Sequence, residues 1–395
     1  MEEVKNVNLK TQLKEPFTIN LSKSREYLHV FKLTDIASEV KYIPLETNDL
    51  SLIGNRYSYP KFTKDYLYID NGGIIMQFDM TGKFVRSINR KGQGPGECSA
   101  RDFDIDEKNQ LIHIFDNWNL GIYSFDFEGK HVKTLRNPFS DMSKADNSPV
   151  HMGCDKNGNF VFTFGNNSGK MEYKYIVTNR EGETLYKCPN YIKYSINEPK
   201  GRTRQFSMPF FDFYTFNDCY YYDYAYNDTV FRINDDFSCT PYYIRNLPNK
   251  KTLEDILKRD AGIIQNSELA GKNGYDFCRE DNKYIYIYHY QYPVDNNYKS
   301  FLSRFDKDSG ELLENINVNV ANNWDGGMDI ELSPAFQQEN TLCMMFQPFE
   351  MQEKLTEEHF RNAEIAFSEE SEALRTMVNG LKEDDNPVLM VIKLK

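Results

Sequence analysis

Apolar and polar residues alternate in short runs along most of this chain, and one unit of strand, turn and strand recurs. The clearest copy is Tyr66–Asp70 followed by Met76–Val85, and the next is Leu111–Asp116 followed by Ile122–Val132. The second run of each copy contains Asp-x-x-Gly-Lys, whose Asp accepts hydrogen bonds from a turn and whose Gly adopts a positive φ. A repeated four-stranded unit cannot bury both of its faces alone. The pattern therefore predicts radial stacking into a β-propeller.

The repeat predicts an all-β fold with six blades, each of four antiparallel strands. The blades are expected near residues 57–89, 101–136, 149–188, 208–247, 274–320 and 330–394. Blade six lacks an outer strand after Leu394, and Val40–Leu45 is the N-terminal run best suited to supply it and close the ring. We therefore expect residues 27–395 to form a single propeller domain and residues 1–26 to form an N-terminal arm.

Two stretches break the strand pattern. Thr252–Gln265 predicts a helix with Thr252 as its N-cap. Residues 352–382 predict one or two acidic helices inserted into blade six. The apolar stripe of this insertion consists of Leu374, Met377, Val378 and Leu381. Because such a stripe must be covered, we expect the helices to lie over the channel-facing loops and partly occlude them.

Charge and cysteine content narrow the class of protein. With 47 basic and 59 acidic residues, a net charge of −12, the chain is a poor partner for nucleic acid, whose binding rests on clustered Lys and Arg. Seven scattered cysteines without a Cys-x-x-Cys pair predict free packing thiols, and they predict neither a disulfide framework nor a zinc finger. No apolar run reaches the length of a membrane-spanning helix.

Two segments resemble a known family. Lys41–Thr47 followed by Leu52–Gly54 is similar to the opening signature of the six-bladed β-propeller proteins common among exported lipoproteins of Gram-negative anaerobes. Gly92–Glu97 followed by Phe103–Asp106 resembles the junction of that family's first two blades, and it also resembles the NHL repeat. The resemblance implies a periplasmic or outer-membrane lipoprotein, held to the membrane only by a lipidated Cys upstream of residue 2. It implies no reaction, because the members are mostly of unknown function.

Motifs for catalysis are sparse. Gly92–Gly96 has Gly-x-Gly-x-Gly spacing, but a strand follows it, which favours a tight turn over a phosphate loop. The chain has no Gly-x-Ser-x-Gly elbow. Asp102, Asp104 and Asp106 alternate along a strand, and we interpret them as solvated or turn-capping residues. None of the six His residues is paired with another at metal-binding spacing. We therefore predict no catalytic residue, metal or cofactor, although His residues of different blades could meet in the channel.

Binding residues are predicted from topology. In a propeller, the loops from second to third strands and from one blade to the next gather around the channel on one face. Aromatic rings beside Asn, Asp and Arg suit a sugar or peptide surface, and the alternative is that Trp118 and Trp324 pack beneath loops. The predicted ligand-binding residues are Arg101, Trp118, Asn119, His151, Arg204, Tyr226, His289 and Trp324. We predict a non-catalytic binding or scaffolding protein of the cell envelope whose partner is a glycan, peptide or protein. The alternative is a metal-assisted lyase or hydrolase acting in the channel.

Overall fold

Six small sheets arranged as the blades of a propeller make up the structure, which is a computed structural model. It describes residues 15–21, 28–54, 58, 60–119, 121–136, 149–166, 169–194, 211–224, 227–260, 265–294, 297–315, 318–332 and 336–395. The N-terminal part contains β1 (Phe17–Asn20), β2 (Leu28–His29), α1 (Leu33–Ile36) and β3 (Ala37–Pro44).

The first three blades follow the predicted boundaries closely. Blade one contains β4 (Lys61–Phe62), β5 (Tyr66–Asn71), β6 (Ile74–Asp79) and β7 (Phe84–Ser87). Blade two contains β8 (Asp102–Asp106), β9 (Leu111–Asp116), β10 (Gly121–Asp126) and β11 (His131–Arg136). Blade three contains β12 (Pro149–Cys154), β13 (Phe160–Phe164), β14 (Tyr173–Thr178) and β15 (Thr184–Pro189).

The last three blades carry the additions to the repeat. Blade four contains β16 (Phe211–Phe216), β17 (Cys219–Tyr224), β18 (Thr229–Ile233) and β19 (Cys239–Asn246), and α2 (Leu253–Asp260) follows. Blade five contains β20 (Asn273–Glu280), β21 (Tyr284–Val294), β22 (Asn297–Asp306) and β23 (Leu312–Asn315). A small ladder of β24 (Asn319–Val320) and β25 (Ile330–Glu331) leads to blade six, with β26 (Phe336–Gln338), β27 (Thr341–Phe346) and β28 (Val388–Leu394). Between β27 and β28 lie α3 (Pro348–Lys354), α4 (Glu357–Asn362) and α5 (Ser368–Gly380). The predicted six-bladed fold is confirmed.

The Asp-x-x-Gly sequence forms the turn between the third and fourth strands of a blade. In blade one, Asp79 Oδ1 accepts hydrogen bonds from the backbone N–H groups of Thr81 (2.8 Å) and Lys83 (3.1 Å). Gly82 has a φ of +89°, and a Cβ there would lie 2.1 Å from the carbonyl oxygen of Pro44. Only glycine fits this turn, because both the backbone conformation and the neighbouring blade exclude a side chain.

The ring is closed by a strand from each end of the chain. β3 pairs antiparallel with β28, from Pro44 opposite Val388 to Ala37 opposite Leu394, and this is the pairing that the sequence predicts. Ile43 then packs with apolar residues of blade one and blade six. Each pair of neighbouring blades is joined by a hydrophobic cluster, so the packing continues around the ring.

The N-terminal part also contributes two strands; a strand-like run is predicted at Tyr27–Leu33, which contains β2, but the pairing of neither strand is predicted. β1 pairs in parallel with β19, and β2 pairs in parallel with β23, at the outer edges of blades four and five. These two sheets therefore have five strands each. Parallel pairing at an edge involves no local turn, so the sequence carries no short-range signal for it.

The helical insertion of blade six begins earlier than predicted, at Pro348, and forms three helices. Leu374 and Val378 of α5 are buried in the cluster that joins blades five and six, together with Met351 of α3. Backbone and side-chain hydrogen bonds tie the insertion to the loop between blades five and six, including His359 Nε2 with the carbonyl of Gly326 at 2.8 Å. The apolar stripe is thus covered by blades five and six, and occlusion of the channel mouth stays a prediction.

The other predicted helix is present over the described part of its range, and residues 261–264 lie outside the described residues. α2 runs from Leu253 to Asp260, and Thr252 Oγ1 accepts from the backbone N–H of Asp255 at 3.2 Å, as an N-cap should. None of the helices within the described ranges combines the length and the apolar character needed to cross a membrane.

Candidate functional site

The connections of the blades fall on two faces. Because consecutive strands of a blade are antiparallel, the second-to-third-strand loops and the blade-to-blade loops share one end, which we call the loop face. The other turns lie on the opposite end, the turn face. The first strands lie innermost, since β8 contacts β12 while β16 contacts both β20 and β26. These first strands line the central channel.

The loop face carries most of the exposed large apolar side chains. Of the ten such side chains among the described residues, six lie on loop-face connections of blades one, two, three and six. They are Leu50, Leu52, Trp118, Tyr191, Phe349 and Phe367. Exposed apolar groups gathered on one face are typical of a surface that contacts a ligand or partner.

Trp118 is the most exposed of them, at 90 %. It sits on a loop-face turn that the buried carboxylate of Asp116 organises: Asp116 Oδ1 accepts from the backbone N–H of Trp118 (2.8 Å) and from that of Asn119 (3.1 Å). Asp116 Oδ2 accepts from the side chain of Asn119 (2.9 Å) and from the backbone N–H of Ser99 (3.0 Å). The turn is therefore anchored from below while its indole ring points into solvent.

A polar cavity of about 270 Å³ occupies the channel. Lys61 Nζ lies 2.9 Å from Asp104 Oδ1, and His151 Nδ1 lies 2.7 Å from Asp102 Oδ2. The lining residues are Lys61, Asp104, Ile105, His151, Cys154, Tyr214, Thr215, Asp218, Tyr220, Phe336, Gln337, Gln338 and Glu339. They come from the innermost strands of five blades, from β17 of blade four and from turns of the turn face, so the cavity extends away from the loop face.

The charges in this cavity stabilise one another. Burial alone would raise the pKa of Asp102, but the charge and hydrogen bond of His151, together with Lys61, hold it below its usual range. Burial would lower the pKa of Lys61, but the negative charges of Asp104 and Asp102 raise it. Both groups therefore stay charged near neutral pH, and the cavity offers paired charges of both signs to a small polar ligand.

A cluster of metal-ligand type lies beside the channel, between blades two and three. Asp106, His113 and Cys154 bring a carboxylate oxygen, an imidazole nitrogen and a thiol sulfur within 4.8 Å of one another. His113 comes from the second strand of blade two, and the other two end the innermost strands of blades two and three. Cys154 also lines the channel cavity. Among the described residues, this is the group whose chemistry best suits a metal ion.

The predicted ligand-binding residues separate into distinct environments. Arg101, Trp118 and Asn119 are exposed on the loop face, and His151 lines the channel cavity. Trp324 packs against Phe367 with ring centroids 4.2 Å apart.

Of the remaining three predicted residues, His289 is the one that the structure describes. His289 is 1 % exposed, inside blade five, with its Nε2 3.1 Å from Ser303 Oγ. Arg204 and Tyr226 lie outside the described residues. Binding at any of the eight residues stays a prediction.

Several channel residues were missed or interpreted differently from sequence. Lys61 belongs to a two-residue strand and carries no local signal. Asp102 and Asp104 were interpreted as solvated or turn-capping, yet each accepts a backbone N–H from blade three, from Met152 (2.7 Å) and Cys154 (2.6 Å). Their alternation on an innermost strand was the signal that could have placed both on one side of the sheet. Asp106 does cap a turn, since it accepts from Asn109.

These features define a closed six-bladed β-propeller with an apolar loop face and a polar channel. The chain belongs to the family described as "Domain of unknown function (DUF4934)", whose family model matches residues 16–393. A search of curated proteins finds no match.

Two solved structures share the fold over almost their whole length. A suspected exported protein of Bacteroides fragilis is 15 % identical, with a TM-score of 0.64 over 96 % of this chain and 99 % of that one. A member of the DUF4221 family from Bacteroides vulgatus is 12 % identical, with a TM-score of 0.52 over 91 % of this chain and 97 % of that one. At such identities the likeness concerns the fold alone.

Proposed function

We propose that this protein is an exported, non-catalytic binding protein whose glycan, peptide or protein ligand docks on the loop face. The observation that carries the proposal is the gathering of six of the ten exposed large apolar side chains on that face. Export is supported by the resemblance of its opening segments to exported lipoproteins and by the suspected export of the Bacteroides fragilis protein. We extend this to a lipid anchor attached upstream of the chain.

The Trp118 turn is the best candidate for the centre of the contact. A flat indole ring supplies a large apolar platform, Asn119 supplies a directional polar group beside it in sequence, and Arg101 supplies another on the same face. Because Asp116 already holds the turn in place, little conformational entropy is lost when a ligand settles on the ring. Sugar rings and peptide backbones both present the mixed apolar and polar surface that such a turn complements.

Fluorescence of Trp118 offers a direct test, because the chain has only two tryptophans and Trp324 is packed against Phe367. The fluorescence of the parent is compared with that of Trp118→Phe, and the difference between the two spectra is the emission of the exposed indole. A panel of neutral and acidic oligosaccharides and of unstructured peptides is then screened for protection of that signal from acrylamide. We expect at least one class to protect it.

Affinity measurements on substituted proteins make the test specific. Trp118→Ala should weaken binding of the protecting ligand by about tenfold or more, as loss of a central aromatic contact does. Val132→Ala is the matched control, since Val132 is also exposed and lies in the same blade but on its outer strand. If no panel member protects the indole, or if Trp118→Ala binds as tightly as Val132→Ala, the loop-face proposal is wrong.

A metal-assisted lyase or hydrolase is the second candidate, favoured by one observation. The channel cavity brings Lys61, Asp102, Asp104 and His151 together as paired acids and bases. Such pairs can transfer protons to and from a bound substrate. Cleavage of the protecting ligand by the purified protein, assayed before and after metal chelation, discriminates the two candidates, since cleavage that chelation abolishes would favour the enzyme. Full loop-face binding by protein containing less than stoichiometric metal would favour the binding protein.

A further inference from the structure

We propose that Asp106, His113 and Cys154 form a zinc site in the wall of the channel between blades two and three. The three ligand atoms lie within 4.8 Å of one another, close enough to contract around a single ion. The inference goes beyond the loop-face binding function and does not depend on it. It also departs from the sequence analysis, which assigns no metal to this chain.

The strongest observation is an unsatisfied nitrogen of His113. This side chain is 2 % exposed, and its Nδ1 lies 2.8 Å from Ser124 Oγ. Its Nε2 is buried without a hydrogen-bond partner among the described residues. Asp106 Oδ2 lies 4.0 Å from it, at the limit of an ion pair and too far for a hydrogen bond. A buried polar atom left in this state calls for a missing partner, and a metal ion is one.

The surroundings of His113 suit a metal ligand. When Ser124 Oγ accepts from Nδ1–H, the tautomer is fixed so that Nε2 presents its lone pair to the cluster. The ring of Phe160 packs edge-on against the imidazole at 4.9 Å and restricts its orientation. Metal-ligating imidazoles in proteins are usually held by outer groups of this kind, which fix the tautomer and the orientation of the ring.

The carboxylate of Asp106 is likewise held in place. Asn109 donates to it from its backbone N–H (3.1 Å) and its side chain (2.8 Å), and Arg180 NH2 donates to Oδ2 at 2.6 Å. The guanidinium brings a positive charge, which opposes a second cation. A carboxylate and a thiolate together carry two negative charges that offset the ion itself, so the site with Arg180 has a net charge of only +1.

The donor set selects the metal. A thiolate, an imidazole and a carboxylate are the ligands of Zn²⁺, whereas Ca²⁺ and Mg²⁺ take oxygen ligands. Three protein ligands leave the fourth tetrahedral position for a water molecule. On binding, the S–H bond of Cys154 breaks, the sulfur electron pair forms the Zn–S bond, and the proton passes to solvent. Affinity should therefore rise with pH.

Spectroscopy with a substitute metal tests the site directly. The metal-free full-length chain is titrated with Zn²⁺ against a chromogenic chelator and, separately, with Co²⁺, whose bond to a thiolate has an ultraviolet charge-transfer band. We expect one ion per chain and that band in the parent. Cys154→Ser should abolish the band and weaken Zn²⁺ binding by more than about a hundredfold, a larger effect than loss of an outer-layer partner. His113→Gln should weaken binding similarly.

Cys219→Ser is the matched control, because Cys219 is also partly exposed but lies in blade four, outside the cluster. It should bind Zn²⁺ as the parent does. An independent measurement avoids any folding defect of the variants: in the parent, Zn²⁺ should protect Cys154 from alkylation, read by mass spectrometry. Absence of stoichiometric binding, binding unchanged in Cys154→Ser, or a Cys154 that alkylates equally fast with and without Zn²⁺ would overturn the proposal.

Discussion

Removing the N-terminal segment through Leu45 should destroy the closed ring. From Phe31 to its end, the segment buries five large apolar side chains, each at most 4 % exposed: Phe31, Leu33, Ile36, Ile43 and Leu45. Burial of one such side chain is worth about 1.5–3 kcal/mol, so the five together are worth roughly 8–15 kcal/mol. The whole stability of a natural domain is only about 5–15 kcal/mol. The truncated chain should therefore lack a cooperative unfolding transition.

A single substitution tests the contribution of the closing strand without removing it. Ile43→Ala removes most of a side chain that is packed in the cluster joining blades six and one. Core truncations of this type destabilise by about 2–5 kcal/mol. For a chain of 395 residues, the unfolding entropy near 60 °C is about 0.8 kcal/mol/K. The melting temperature should consequently fall by about 2–6 °C.

Circular dichroism melts of the parent and two variants make the comparison. Lys41→Ala is the control, since Lys41 lies on the same strand with a side chain 63 % exposed and should change the melting temperature little. Equal melting temperatures for Ile43→Ala and Lys41→Ala would refute the closure argument. A cooperative unfolding transition in the chain that lacks residues 1–45 would also refute it.

Three further results are expected. Asp223→Asn should destabilise the protein by about 3–5 kcal/mol in chemical denaturation, because it leaves the buried guanidinium of Arg245 without its two-point partner. The double variant Asp223→Leu/Arg245→Met should recover most of that loss, and no recovery would contradict the ion-pair explanation. Because the pKa of Asp102 is lowered in the folded state, its stabilisation through His151 is present above about pH 4 and lost as the pH falls further. Asp102→Asn should therefore be less stable than the parent near neutral pH and converge with it in acid, and a constant difference would contradict this assignment. Hydrogen exchange of residues 371–381 should be slow in the monomer because the stripe of α5 is docked, whereas fast exchange slowed only by oligomerisation would contradict docking.

The architecture could be predicted because its signals are local. The turn at Asp79 depends on residues within four positions, and period-two alternation marks the strands on either side. Blade two was expected at 101–136 and runs from Asp102 to Arg136. Ring closure could be predicted by counting strands, since blade six lacked an outer strand after Leu394 and Val40–Leu45 was a strand with no blade of its own. The pairing of the fifth strands escaped prediction because it is parallel and joins segments that are distant in sequence.

The sequence by itself determined the fold and the blade boundaries, which rest on short-range patterns, but it left open whether Trp118 is exposed or packs beneath a loop. Only the tertiary structure decided which side chains meet in the channel. Lys61 and Asp104 are 43 residues apart, and Met152 reaches a carboxylate 50 residues away. The same holds for His113 and Cys154, which belong to different blades. Such encounters depend on how each blade is tilted against the next, and this tilt is set by packing across the whole ring.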